Sequence, residues 1–455
     1  MSYQLLLDFV PDLPGLVAAD RDFFPALLAS EANHSATGRY SMVFADVIDQ
    51  QLATRPEHMP QWFRSLDAGM AIAPDASKNQ SVLPFEHGWF FYLSYEAMAG
   101  WEPRLASMRQ PPGEPLALAL KCAGAVVLDH ATGKVWVTAQ DKPSAQRIYQ
   151  KVLAKVPETD HQWPQYVVTV EPPEYFKKQV QRVREYIAAG DVYQVNLARQ
   201  WHLQAPFWPT PVQCYRQLAR CNPAPFSGVL DWHDFAIISS SPERLVSRRG
   251  DLVETRPIAG TRPRGANAEI DSRLMGELIA HPKERAEHIM LLDLERNDLG
   301  RICQPGSVRV SELMVVESYA HVHHIVSNVQ GCVRRNTAFS DVIKAVFPGG
   351  TITGCPKIRC MEIIHELEQR PRGGYTGTMG YLNHNGDMDS NILIRTLIKQ
   401  GKQMNFMAGA GIVMDSVPSR EVEEIGHKAK GLLRALGVDA TAPGTETGYE
   451  LPATD

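Results

Sequence analysis

The spacing of hydrophobic positions changes part-way along the chain. Through the first 155 residues, short apolar runs rich in β-branched and aromatic residues are separated by turn clusters: YSMVFADVI from Tyr40, GWFFYLSYEA from Gly88 and LALALKCAGAVVLDHATGKVWVTA from Leu116. That is a strand pattern, and the last run doubles back as a hairpin around Ala131, Thr132 and Gly133. From Pro173 the period becomes helical. YFKKQVQRVREYIAAGD puts Tyr175, Val180, Val183 and Ile187 on one side, with Gly190 as its stop. Strands such as FSGVLDW, FAIISSS and LVETRPIAG then alternate with helices predicted over 268 to 299, 338 to 347, 356 to 368 and 418 to 435. Both kinds of element carry apolar faces, which predicts an α+β architecture with helices over a large, mainly antiparallel sheet system.

Prolines 157, 164, 172 and 173 interrupt both periodicities, so a boundary is expected near residue 165. It separates an N-terminal region, 1–165, from a region 166–436. The tail from Gly437 has little to bury and is expected to be disordered. A length of 455 residues suits one to three domains, and no internal repeat is visible. With 44% hydrophobic and 21% charged residues the chain is neither fibrous nor wholly disordered. Its 46 basic and 51 acidic residues give a net charge of −5, which favours neither nucleic acid nor an anionic membrane and turns attention to a small-molecule substrate. Seven cysteines without a CxxC pair imply no disulfide framework or zinc site and fit a reducing cytosol. MSYQLLLDFVPDLPG lacks a basic leader, and no apolar run is long enough to span a bilayer, so a cytoplasmic chain is expected.

Two predicted helices carry carboxylates on shared faces. Glu284 and Glu287 are three residues apart and share a face, and Glu421, Glu424 and Lys428 share a face while Val422, Ile425, Ala429 and Leu432 make the apolar stripe. A hard dication such as Mg²⁺ takes one or two carboxylates plus substrate oxygens, so two such faces meeting across a cleft would supply a site. Each face alone reads more simply as solvated surface. The glycine-rich FPGGTITGCPK lacks the GK[ST] ending of a phosphate loop, and MAGAGIVMD ends in a strand-like run, so neither supports nucleotide binding. In YAHVHHIVSN, alternation puts His321 and His323 on one face and His324 on the other, which makes no metal trio.

Seven blocks in order, SPERL (241–245), TRPIAGTRPRG (255–265), ERAEHIMLLDLERNDLGR (284–301), FPGGTITGCPKIRCMEII (347–364), IRTL (394–397), AGAGIV (408–413) and EVEEIGHKAKGLL (421–433), closely resemble the chorismate-utilising enzymes. The resemblance implies two large β-sheets packed as a sandwich and flanked by helices. GDVYQVNLARQW, NPAPFSGVL, TITG, GYTGTMGYL and MDSNILIRTL resemble the aminodeoxychorismate synthase component I branch in particular, which aminates chorismate at C4 on the route to p-aminobenzoate and folate. Gln194 stands where water-adding members have a basic lysine, and an amide cannot take a proton at neutral pH. Ala259, in PIAGT, stands where that branch often has a lysine nucleophile, and alanine is what anthranilate synthases carry, so amination at C2 is the alternative.

Carried over residue by residue, the resemblance implies that Glu243 is the general acid for the departing hydroxyl. It implies that Glu287 and Glu424 bind Mg²⁺, with Glu284 and Glu421 beside them. Arg395 and Tyr381 grip the enolpyruvyl carboxylate, with backbone N–H groups near Gly411. Thr261, His324 and Thr351 line the ring, and Lys428 shares the acidic face. Ser30, Arg39 and Ser41 mark a candidate tryptophan pocket. No Cys-His-Glu glutaminase signature is present, and the resemblance implies a separate glutamine amidotransferase subunit that supplies ammonia.

Overall fold

In the computed structural model, Ala117–Asp129 is the hub of the sheet. Along one edge it pairs with the whole of Tyr40–Ala53, and along the other first with Gly88–Leu93 and then with Lys134–Ala139. The last pairing is the predicted hairpin, with Gly133 at φ 68° in its turn, where a side chain would be strained. The model describes residues 2–31, 38–70, 83–154, 163–319 and 322–438, excepting the Lys283 side chain. Pro157, His321 and all of the tail beyond Val438 lie outside the described residues.

Two arms leave the hub. One runs from Tyr40–Ala53 through Ala26–Ala29, Phe226–Trp232, Phe235–Ser241, Thr396–Gln400 and Gln403–Ile412 to Gln194–Gln204. The other runs from Gly88–Leu93 through Thr378–Asn383, Met388–Asn391, Arg244–Arg249 and Leu252–Arg256 to Val322–Cys332, which also holds Ile258–Pro263 and Arg309–Ser318. Every pairing named is antiparallel, and strands from before residue 165 pair with later ones, Leu27 with Val229 and Phe90 with Tyr381.

The three largest apolar clusters among the described residues follow from this layout. Leu230, Ile237 and Met407 from one arm meet Phe90, Met379 and Tyr381 from the other, which forms the interior of a sandwich. A second cluster lies under Pro173–Ala188, Pro211–Cys221 and Pro418–Ala435, and a third under Met59–Ala68, Pro282–Gly300 and Phe339–Val346. No helix among the described residues is long and apolar enough to cross a membrane.

The helices sit close to their predicted spans: Pro173–Ala188, Phe339–Val346, Lys357–Glu368 and Pro418–Ala435. The segment predicted as one helix over 268 to 299 is two, Ala268–Ala280 and Pro282–Gly300. Pro282 forces the break, because its ring crowds the preceding residue out of the helical region and His281 sits at ψ 112°. The second helix is thereby freed to take its own direction, and it carries Glu284 and Glu287.

Candidate active site

Glu243 lies on the short connection between Phe235–Ser241 and Arg244–Arg249. Its backbone is tied down: its N–H donates to Ser241 Oγ at 3.2 Å, and its carbonyl accepts from Ile392 N at 3.0 Å. The carboxyl is buried, and Oε1 has no hydrogen-bond partner. Burial pushes its pKa up to about 7. The Thr351 hydroxyl, the Ile258 amide and Arg395 pull the other way, while Glu295 adds to the rise. Thr351 Oγ1 is close enough to favour the carboxylate, yet it completes no hydrogen bond of its own. Near neutral pH, therefore, Glu243 can hold a proton and give it up.

Arg395 adopts a left-handed backbone, φ 51°, rare for a residue with a long side chain. Its carbonyl accepts from Ser240 N at 3.1 Å, and Nη1 donates to Asn222 Oδ1 at 3.4 Å. That single long contact leaves most of its planar fork for a carboxylate. Burial lowers its pKa, and the neighbouring Glu243 opposes this.

The PIAGT segment is a strand with a bulge. Ile258–Pro263 pairs with Val322–Cys332, and the register slips between Ala259 and Thr261. Gly260 makes the slip possible at φ 73°, where a Cβ would lie 2.3 Å from Glu284 Oε2. Beyond the bulge Thr261 faces His324, with Oγ1 and Nδ1 2.9 Å apart. Burial and Arg395 hold His324 down to about 4, so the imidazole is neutral. His323, on the opposite face, bonds Ser318 and Asp271 at 2.7 and 2.9 Å, a satisfied interior histidine.

The two acidic faces both come to rest against Gly409–Gly411. Glu287 Oε1 accepts from Gln194 Nε2 at 2.8 Å, and a Cβ on Gly411 would meet that amide at 2.1 Å and Glu287 at 3.6 Å. From the other side, Lys428 Nζ donates to the Gly409 carbonyl at 2.9 Å and pairs with Glu424 at 2.8 Å. Glu284 pairs with Arg262 at 2.7 Å through one oxygen, while Oε2 is buried without a partner. Glu421 is buried, one turn before Ile425 on the packed side of its helix. Among the described residues no three His, Cys, Asp or Glu side chains form a ready-made metal cage.

The structure places Tyr381 elsewhere. It lines a separate cavity of about 390 Å³ with Arg39, Met42, Pro225, Arg244 and Asp389, and neither Arg395 nor Glu243 borders that space. The cause is strand alternation, which turns Tyr381 into the sandwich interior against Phe85. Tyr375, six residues earlier in the same block, is the tyrosine beside the acidic faces: a Cβ on Gly409 would sit 2.7 Å from its hydroxyl. Two tyrosines in GYTGTMGYL left the choice between them open to error. Arg39 binds Asp129 through two nitrogens at 3.0 and 2.8 Å; Ser30 N donates to Ser41 Oγ at 3.1 Å, and Ser41 Oγ lies 2.7 Å from His130.

Unpartnered buried polar atoms collect around this geometry: Glu243 Oε1, Thr351 Oγ1, Glu284 Oε2, Gln194 Oε1 and Asn196 Oδ1. Such groups are costly unless a ligand completes them. The family model described as chorismate binding enzyme matches residues 25–434. The chain belongs to the chorismate-binding enzymes. This chorismate-utilising enzyme is 39% identical over 412 residues to an anthranilate synthase component I-like protein of Synechocystis, which spans 89% of this chain and 84% of that one. It is 52% identical over 261 residues to aminodeoxychorismate synthase component 1 of Bacillus subtilis, covering 57% of this chain and 55% of the relative. Among solved structures, anthranilate synthase component I from Streptococcus pneumoniae superposes with a TM-score of 0.72 at 29% identity, covering 94% and 92% of the two chains. The menaquinone-specific isochorismate synthase of Escherichia coli shares the fold, with a TM-score of 0.74 at 18% identity over 96% and 94% of the chains.

Proposed function

We propose that this enzyme aminates chorismate at C4, as an aminodeoxychorismate synthase component I, with ammonia drawn from a separate glutamine amidotransferase subunit in the cytoplasm. Gln194 carries the choice of amination over hydration. Held 2.8 Å from Glu287, it fills the position where a base would activate water with a neutral amide. The long stretch at 52% identity to an aminodeoxychorismate synthase supports C4. Ala259 favours the second reading, amination at C2 to anthranilate or its precursor, because its methyl group offers no nucleophile.

Glu287 and Glu424 would hold Mg²⁺, with Glu284 and Glu421 beside them; the unpartnered Glu284 Oε2 and two acidic faces leaning on one strand suit an ion that completes its shell with substrate oxygens. Bound there, the ion supplies Lewis acidity and a grip on the ring carboxylate. Arg395 takes the enolpyruvyl carboxylate in a fork, and Tyr375 stands in the role expected of Tyr381. Thr261, His324 and Thr351 border the ring. Glu243 protonates the C4 hydroxyl as the C–O bond breaks, so water leaves. Ammonia forms the new C–N bond, and the proton it sheds returns to Glu243. With no lysine at 259, water or ammonia makes the first displacement by bonding C2 as the C4 hydroxyl leaves; in the second, the C4–N bond forms as that C2 bond breaks, and the C2 group departs as water or ammonia with the proton shed when it was added.

The test is incubation with chorismate, Mg²⁺ and an ammonium salt, with products identified by mass spectrometry with and without the lyase that forms p-aminobenzoate. 4-Amino-4-deoxychorismate is the expected product, and anthranilate alone overturns the C4 reading. The cavity beside Arg39 is assigned to tryptophan on the same resemblance, and calorimetric titration of wild type and R39A checks it.

A further inference from the structure

On the Pro282–Gly300 helix, positions 284, 287, 291, 295 and 298 follow one another at three- and four-residue steps and so form one stripe. Its first two members reach the carboxylate site. Its last two, Glu295 and Asp298, are buried, unlike the half-buried first two, and play no part in the chemistry above. Asp298 has a cation of its own, Lys357 Nζ at 2.6 Å, which also donates to the Val346 carbonyl. Glu295 has none so close. It lies against the Gly350–Ile352 turn, where a Cβ on Gly350 would meet Glu295 Oε1 at 3.4 Å and Leu294 at 2.4 Å. The next residue, Thr351, is the one whose hydroxyl stands beside Glu243. Two buried carboxyls thus flank a single three-residue turn.

We infer that Glu295 is a positioning residue for the acid: from behind the Gly350–Ile352 turn it sets the field in which Glu243 holds its proton, and the Lys357–Asp298 pair sets Glu295 in turn. The inference rests on the reading of Glu243 as the proton donor. The groups facing each carboxyl fit it. Around Glu295 stand Asp298, Lys357, the Thr255 hydroxyl and the Gly350 amide; around Glu243 stand Arg395, Thr351 and the Ile258 amide, with Arg301 acting on Asp298. Burial raises Glu295, Asp298 raises it further and Lys357 restrains it, and charge on Glu295 makes ionising Glu243 harder. The turn also holds both in place, because the Gly350 amide favours charged Glu295 while Thr351 favours charged Glu243. A helix that carries the metal-site carboxylates at one end therefore tunes the acid from the other.

The test follows the Glu243 carboxyl carbon by NMR in protein labelled with [5-¹³C]glutamate, the resonance being assigned by its loss in E243Q. In E295Q the midpoint of Glu243 should fall by about one pH unit, and in E295D, which keeps the charge, it should stay near that of wild type. An unchanged midpoint in E295Q overturns the inference, and so does a fall in E295D as large as that expected for Gln. If E295Q does not fold, E295A, which also removes the charge, is read in its place with the same two outcomes. The readout needs no turnover, so it stands apart from whether ammonia ends at C2, at C4 or at neither.

Discussion

Replacing Glu243 by Gln separates the acid's chemistry from its burial, because Gln keeps the shape and removes both proton and charge. The carboxyl's pKa rises from 4.5 to about 7 on folding, chiefly through burial. A group raised in this way stabilises the fold fully below 4.5, and the contribution is lost as pH climbs through 7. At about 1.4 kcal/mol per pH unit the loss is on the order of 3 kcal/mol. E243Q should therefore match wild type in stability at pH 4 to 5 and exceed it by roughly 3 kcal/mol above pH 8. Urea unfolding at both ends of that range measures the difference. Turnover should fall by about 10²- to 10⁴-fold, the usual worth of a general acid. A stability difference independent of pH, or unchanged turnover, would refute the reasoning.

Three further outcomes are expected. Q194L removes the amide that donates to Glu287 at 2.8 Å, so the Mg²⁺ concentration for half-maximal activity should rise by about 10- to 100-fold, read from a metal titration. G260A, placing a methyl 2.3 Å from Glu284 Oε2 at φ 73°, should cost about 1–3 kcal/mol in denaturant unfolding and weaken metal-dependent activity. E368A strands the fully buried Arg372, whose partner carboxylate lies at 2.6 Å, and should cost about 3–5 kcal/mol, a large fall in melting temperature.

The helices and the central hairpin were legible because their apolar faces repeat at 3.6 or 2 residues and glycines mark their ends, as at Gly133 and Gly190, both at positive φ. The break at His281 is hidden because the stretches on both sides of it are each helix-forming, although Pro282 is the available signal. The carboxylate faces were visible as spacings, but their approach to Gly409–Gly411 was not, since it depends on which strand lies between the two helices. Tyr381 is expected at the substrate from its block alone; alternation along the strand decides its direction, and every residue of Thr378–Asn383 is buried, so burial marks neither face. Glu295 drew no notice in sequence, where LERND reads as a charged helix end, and only its burial behind Gly350 makes it conspicuous.

In the proposed function Glu287 and Glu424, far apart in the chain, would meet through one divalent ion on bound chorismate. Electron paramagnetic resonance of Mn²⁺ titrated into the enzyme with and without chorismate tests it most directly. Tighter Mn²⁺ binding in the presence of chorismate, abolished in both E287Q and E424Q, is the expected result. Chorismate-dependent Mn²⁺ binding that survives either substitution unchanged would contradict it.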